Sequence, residues 1–554
     1  MKRLKLSTLG VLSALLVTAA CSSETPKSGN PSASPASSSQ PAESANPFGK
    51  YNPPIDITTV RSVDPGVKFV GSDTIENNEW SRLYKDQLGI NLKYKWIATS
   101  GDEMTQKMNV MIASDDLPDF LAVSSIQLKQ LIEAGMVQDL TSVYEKYAAP
   151  LTKKFMNEDG PEQLNSAKFN GKLMAIPNTN SSMDGASILW VRTDWLKKLN
   201  LPEPKTMDDV VKIAEAFAKQ DPDGNGKADT FGLGLNKGIG GGGIMGLGGF
   251  FNGFHAYQGS WVKDASGNIA YGSIQPEMKN ALLKLQDMYK NGLLDKEFGV
   301  KDGNKAGEDL VAGKIGLAYG AMWLPINPLQ KGKDLNPAME WKAFPIVSAD
   351  SQPAKPAVGL PVVTYYVASK KAKNPEALMK MVNMFIEKGW GQTIEFETYF
   401  NTKEGIEAFK HAPFNAWSSR KNLDVHLSVT EALKSANTSK LNPEQQSTLD
   451  KVKAFNNGDN KQWNQARVFG EDSSFKVINQ YVNNKLLQMN AFYGAPTKTM
   501  GEKKATLDKM ELETLTKIIM GEPISAFDKF VEDWKKLGGN EITQEINEWA
   551  KSAK

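Results

Sequence analysis

Cysteine occurs once in this 554-residue chain and histidine three times. A lone thiol cannot close an internal disulfide, and it is a liability in an oxidising compartment unless it is modified. His255, His411 and His426 stand in no metalloprotease or triad spacing. Charge of one sign is also missing: 65 Lys plus Arg against 63 Asp plus Glu leave a formal +2, so no strong field favours nucleic acid. Leu9–Ala20 is short of the ~20 apolar residues a membrane-spanning helix needs, and no long apolar run follows it. Gly240 to Gly243 lie in a glycine-rich stretch, but no Gly-Lys-Ser/Thr follows. That excludes a phosphate-binding P-loop and leaves a cleft or surface loop. Carboxylates are plentiful, so composition alone leaves open a glycosidase, which needs only two.

The chain begins with a different signal. Lys2, Arg3 and Lys5 precede the short apolar run, the pattern of a secretory leader over residues 1–20. The run ends at Val17-Thr18-Ala19-Ala20-Cys21, which resembles a lipobox, the signal for diacylglyceryl attachment to cysteine. Thr18 departs from the Leu or Val usual at that position. Lipidation of Cys21 would remove the free thiol and anchor the protein. Residues 21–54, dominated from Ser28 by Ser, Pro, Ala, Asn and Gly, read as a disordered tether. Loss of the leader takes the formal charge to −1. A lipoprotein on a long tether suits the outer face of a Gram-positive cell membrane.

Roughly 500 residues remain, more than one hydrophobic core usually holds, so at least two lobes are expected. Hydrophobic and charged fractions of 40% and 23% are those of a soluble globular body. Twelve Trp and 21 Met are the excesses. Indole faces stack on sugar rings, and Met fills helical cores. Ile55, Ile57 and Val60, then Val67 to Val70, predict strands. Trp80, Leu83, Tyr84 and Leu88 recur at helical spacing, with Gly89 placed to end the helix. Ile90, Leu92, Tyr94 and Trp96 alternate as a strand, Met104, Met108, Met111 and Ile112 restore the helical period, and Phe120 to Val123 form the next strand. This order predicts an α/β sheet domain. Thr206 with Asp209 reads as a capping box before Val210, Ile213, Ala214 and Phe217. Asn374-Pro375-Glu376 reads as a second helix start. From Ile406 onward the signals are mostly helical.

Several segments carry a family resemblance. Leu117-Pro118-Asp119, after Ala113-Ser114-Asp115-Asp116, is similar to an "ASxDLPD" motif. Asn170 to Pro177 resembles a "GKxYxxP" segment, and Trp190 to Leu196 an "RxDWL" segment followed by Pro204-Lys205-Thr206. Ala312 to Gly316 leads to Trp323, as in "GKxgm…W". Phe527 to Phe530, Trp534, Gly538, Gly539, Glu545, Asn547 and Trp549 resemble a C-terminal signature. Together, in order and spacing, they resemble the extracellular solute-binding proteins of the maltose-binding type, in their large Gram-positive lipoprotein branch. The resemblance implies a periplasmic-binding-protein-like fold: two α/β lobes, hinge crossings and a ligand cleft. It implies an N-terminal lobe of residues 55–177 plus 360–405 and a C-terminal lobe of 178–359 plus 406–554, with Val358 to Tyr366 as a return crossing. The implied function is capture of an oligosaccharide for the permease subunits of an ABC importer, by hinge closure and without chemistry. A monomer is expected, with no nucleic acid partner. A sensor or other non-transport role, and a peptide or other solute as ligand, stay open.

Asp221-Pro222-Asp223-Gly224-Asn225-Gly226-Lys227-Ala228-Asp229 places oxygen donors at alternate positions around a glycine, as a hard Ca²⁺ ion requires. The expected ligands are the side chains of Asp221, Asp223, Asn225 and Asp229 and the carbonyl of Lys227. The twelfth position is Gly232 rather than Glu, so a regulatory EF-hand is excluded; a structural Ca²⁺ is expected, as the resemblance also implies for alginate binders. For the sugar, the resemblance implies Trp323. Trp80 with Asn78, Asp184, Trp190, Tyr365, Tyr366, Phe492 and Tyr493 are further candidates, as aromatic platforms or planar polar groups near the expected crossings. Trp195 and Trp534 read as packing residues.

Overall fold

The structure is a computed structural model that describes residues 45–63, 66–241 and 243–552. The expected leader, Cys21 and the tether as far as residue 44 lie outside the described residues.

In chain order the strands are β1 (Ile55–Ser62), β2 (Ile90–Ala98), β3 (Phe120–Val123), β4 (Lys168–Phe169), β5 (Lys172–Leu173), β6 (Ile176–Thr179), β7 (Ile188–Arg192) and β8 (Phe231–Leu233). They continue with β9 (Trp261–Lys263), β10 (Ile269–Tyr271), β11 (Ile315–Gly320), β12 (Trp341–Phe344), β13 (Ala357–Val358), β14 (Val362–Ala368) and β15 (Gln488–Met489). They form two α/β lobes. The first holds the parallel β1–β2 pair and an antiparallel β3-β14-β6 sheet; the second holds the β12-β7-β11-β8 sheet.

Each lobe has its own core, and the chain feeds both in turn. One core runs from Ile57 to Ile176 and resumes from Tyr365 to Ala416. The other runs from Met183 to Val358 and resumes from Leu423 to Ile546. A smaller helical cluster forms around Val429 and Leu449. Residues beyond 405, expected in the C-terminal lobe, therefore return to the first core. Phe414 packs edge-on against Phe120 and Tyr366, at 6.1 and 5.2 Å between centroids, and Trp80 Nε1 donates to the Ala408 carbonyl at 3.0 Å.

Three segments cross between the lobes at one residue. Thr179, at the end of β6, pairs with Val362 of β14. Its carbonyl accepts from the Trp417 N–H at 3.0 Å, and its hydroxyl donates to the Trp417 carbonyl at 2.9 Å. The next N–H, of Asn180, donates to Pro361 at 2.8 Å.

Two local expectations need correction. Val67 to Val70 is not a strand. Phe69 instead stacks on His411 at 4.5 Å, and the Lys68 carbonyl meets His411 Nε2 at 2.8 Å, so side-chain partners replace a sheet ladder. The tether does not extend to residue 54. Phe48 and Tyr51 pack on the first core. Tyr51 donates to Glu376 at 2.7 Å, and Lys380 donates to the Gly49 carbonyl at 2.8 Å. Two aromatic rings thus dock a stretch whose bulk composition looked disordered.

The family-like motifs serve packing. Asp119 accepts the Thr58 N–H and hydroxyl at 2.8 and 2.6 Å, tying β1 to the start of β3. Arg192 grips Asp194 with two hydrogen bonds of 2.8 and 2.7 Å and lies 4.3 Å from the Trp195 ring centroid. Asn547 exchanges hydrogen bonds of 2.9 and 2.8 Å with both backbone groups of Ile269.

Candidate functional site

A cavity of about 580 Å³ opens beside the crossings and is lined from both lobes. The first lobe contributes Asp159 and Gln163, the crossing segments Ser182 and Pro361, and the second lobe Asn490 and Tyr493. A second cavity, of about 520 Å³, lies between residues 165–171 and the Tyr493–Ala495 segment with Trp549; Tyr493 lines both. Such volumes suit a small-molecule site.

The wall that carries Tyr493 is held by backbone. β15 pairs in parallel with β13, Gln488 opposite Ala357 and Met489 opposite Val358, so it is registered to the strand that leads into the return crossing. Asn490 Oδ1 then accepts the Trp261 N–H at 3.0 Å and the Phe492 N–H at 3.3 Å. Phe492 and Tyr493 both meet Trp549 edge-on, at 4.9 and 4.8 Å. The phenol ring is thereby braced, with part of its surface exposed to solvent.

The facing wall is acidic and polar. Glu158 accepts the hydroxyl of Ser418, and Asp159 Oδ1 accepts that of Ser419 at 2.8 Å. Burial pushes the Asp159 carboxyl above its ordinary value. Asp159 Oδ2 is buried without a partner, as are both amide atoms of Gln163, which is 1% exposed. Composition and spacing gave no signal for Asp159, Gln163 or Asn490, because nothing local distinguishes a cavity-lining polar residue from a surface one.

The expected sugar residues separate into three groups. Tyr493 stands at the cavities, with Phe492 behind it. Asp184 is a hinge latch: it accepts Ser181 Oγ at 2.8 Å and Asn422 Nδ2 at 2.6 Å, and burial raises its carboxyl. Trp80, Asn78, Trp190, Tyr365 and Tyr366 are instead core or capping residues, buried away from the cavities. Trp80 is 0% exposed and stacked on Phe385 at 5.3 Å. Asn78 caps the helix Glu79–Leu83. Trp190 is sealed within β7 between β11 and β12. Tyr365 and Tyr366 are buried on β14, where Tyr366 Oη accepts the Asn415 N–H at 3.1 Å. Trp323 packs half-buried on the second lobe and lines neither cavity.

The Asp221–Asp229 loop follows the helix Met207–Lys219. Asp221 accepts the backbone N–H groups of Gly224, Asn225 and Gly226, each at 3.1 Å. Gly226, at φ 76°, makes the left-handed turn. Asn225 Nδ2 donates to Asp223 at 2.7 Å and Asp229 at 3.0 Å, while the Lys227 N–H donates to Asn225 Oδ1 at 2.7 Å. Burial and the neighbouring Asp221 raise Asp223. Burial opposes the shift of Asp221, but hydrogen bonds from Asp223 and three backbone N–H groups hold it down. Three carboxylates and an amide are the donor chemistry of a hard cation and fit Ca²⁺ in kind. In this conformation they do not converge on one point: among the described residues no group of three or more His, Cys, Asp or Glu could hold a metal. Gly232 is dictated by packing, since a Cβ there would lie 2.2 Å from the Ala214 carbonyl oxygen.

No histidine sits in a catalytic relay. His255 meets Asp350 at 3.0 Å and Ser348 at 3.4 Å, but through the same ring nitrogen. A triad needs one nitrogen for each partner. His411 is fixed between Glu79 and Lys68, and His426 against Phe469.

A family model described as bacterial extracellular solute-binding protein matches residues 74–392. The lipoprotein LipO of Bacillus subtilis is 25% identical over 480 residues, covering 84% of this chain and 87% of that protein. The polygalacturonan/rhamnogalacturonan-binding protein YtcQ of the same organism is 24% identical over 479 residues, with 84% and 86% coverage. Among solved structures, the alginate-binding protein AlgQ2, in a form without calcium ion, superposes with a TM-score of 0.60 at 16% identity, covering 90% of this chain and 99% of that one.

Proposed function

We propose, from the premise that this chain belongs to the bacterial extracellular solute-binding protein family, that it holds an oligosaccharide between its lobes and passes it unaltered to an ABC permease. The protein is an extracellular, membrane-anchored binding protein and not an enzyme. One observation carries the choice of ligand: the 580 Å³ cavity between the lobes combines the braced, part-exposed Tyr493 ring with the part-exposed polar side chains of Ser182, Gln488 and Asn490. A flat aromatic face and planar hydrogen-bonding groups are what a pyranose or furanose ring needs. The sugar polymer in the name of YtcQ agrees with that class.

Two finer points belong to this reading. Cys21 is the acylated residue, following a leader of residues 1–20. Ca²⁺ would be held by Asp221, Asp223, Asn225 and Asp229 with the Lys227 carbonyl, after a rearrangement of the loop that brings these donors to one point. The ion would clamp a loop that ends one helix and leads into β8, a structural role remote in sequence from the cavity residues.

Calorimetry with a panel of oligosaccharides, followed by assay of the same mixtures for new reducing ends, tests the proposal. Saturable binding of at least one sugar, recovered intact, is expected. Cleavage, or no binding across the panel, would overturn it.

A further inference from the structure

Ser418 and Ser419 follow directly on Trp417, the residue tied to Thr179 at the third crossing, and both are buried. Buried hydroxyls need partners, and here the acceptors come from the other lobe. Ser418 Oγ donates to Glu158 Oε2. Ser419 Oγ donates to Asp159 Oδ1 at 2.8 Å and lies 3.2 Å from the same Glu158 oxygen. That oxygen also faces the Arg420 N–H at 3.4 Å. Arg420 opens the helix Lys421–Ser435 and brings no side-chain cap of its own, so a first-lobe carboxylate stands where a capping side chain would.

Both sides of this contact are rigid. Glu158 and Asp159 lie in the turn after the helix Pro150–Phe155. The Asn157 and Gly160 N–H groups close that turn at 3.2 and 3.1 Å, and Phe155 and Met156 root it in the first core. On the other side, Asn422 donates to Asp184 at 2.6 Å, Lys421 pairs with Glu444 at 2.7 Å, and Leu423 belongs to the second core. Whatever holds Ser418 to Arg420 therefore holds the second lobe.

We infer that Glu158, with Asp159, is a positioning residue of the hinge, gripping the second lobe just beyond the pivot and setting the angle at which the lobes rest. The tie between Thr179 and Trp417 is a single point and leaves a swing free. A second tie, on the next three residues, fixes a direction as well. Hydrogen bonds to a carboxylate are among the stronger ones. Closure works against this grip, and removing it lets a wider set of interlobe angles be populated. The inference concerns the protein without ligand and does not depend on which solute is bound.

The test measures interlobe distance in the unliganded full chain carrying Cys21→Ser, which clears its only cysteine. Spin labels go on Glu133→Cys in the first lobe and Lys509→Cys in the second, both at exposed positions, and the distance distribution is read by double electron–electron resonance beside a thermal melt. Glu158→Ala should broaden the distribution and shift its mean. Ser418→Ala/Ser419→Ala, which removes the same contact from the other lobe, should do likewise, and the triple variant should go no further than either. Ser418→Ala alone, one hydroxyl lost, keeps the measurement readable if Glu158→Ala does not fold, and should broaden the distribution in the same sense. A lowered melting temperature with an unchanged distribution overturns the inference, since Glu158 would then only brace its surroundings. Broadening from one lobe's variants but not the other's, or an additive triple variant, overturns it too. Each of these outcomes leaves the oligosaccharide reading standing, because no sugar enters the experiment.

Discussion

Tryptophan shows how far a single side chain can be read. Trp80 was a candidate platform because it starts a helix beside Asn78, yet it is enclosed by Phe385, Tyr399 and Phe400 at 5.0–5.9 Å. Its indole N–H is spent on the Ala408 carbonyl. Trp80→Ala should therefore cost about 3–5 kcal/mol of stability, measured by urea unfolding, and leave the affinity of the remaining folded protein unchanged. An affinity loss with full stability would return Trp80 to the site. Residue type alone does not separate these fates, because an indole serves a core and a sugar platform by the same flat apolar face. Tyr493 could be picked out only loosely, from its place before Gly494 late in the chain. Gln163 could not be picked out, since its isolation is a property of what surrounds it.

Elements are more legible where their signal is local. The capping box of Thr206 and Asp209 exists as expected, with hydrogen bonds of 3.2 and 2.9 Å. Asn374-Pro375 marked the helix Glu376–Trp390 correctly, although Pro375 sits at the cap and not inside. Val67–Val70 does not form the expected strand because Phe69 and the Lys68 carbonyl are engaged by the His411 ring, a partner distant in sequence. The Asp221–Asp229 loop is the element with a chemical test. Carboxylates gathered in one short loop, with Asn225 bridging Asp223 and Asp229, are relieved of mutual repulsion by a divalent cation. Millimolar-range Ca²⁺ should raise the melting temperature and EGTA lower it, and Asp221→Ala should abolish the difference. A melt indifferent to both reagents would remove the ion from this account.

At the scale of the molecule, the α/β order of the first strands foretold a sheet domain, and the chain length foretold two cores. The last passage between them was misplaced at 405, because Phe409, Phe414 and Trp417 sit in a stretch without periodicity. Trp417 packs into the aromatic cluster of Phe385 and Trp390, Phe409 packs on Trp417, and Phe414 packs on Phe120 and Tyr366, contacts which no local pattern reports. If the lobes close on ligand, saturating oligosaccharide should shrink the radius of gyration in solution scattering. An identical curve with and without ligand would contradict hinge closure.

Thr179 joins the three passages through its own backbone and hydroxyl, with Asn180 completing the knot to Pro361. Three ropes tied at a single point allow the two halves to swing about that point but forbid them to slide past one another. Opening must then be a pivot that widens the far rim most and the floor least. A guest would be freed from its outer end first, so whatever receives it need only hold that end while the floor still keeps its grip.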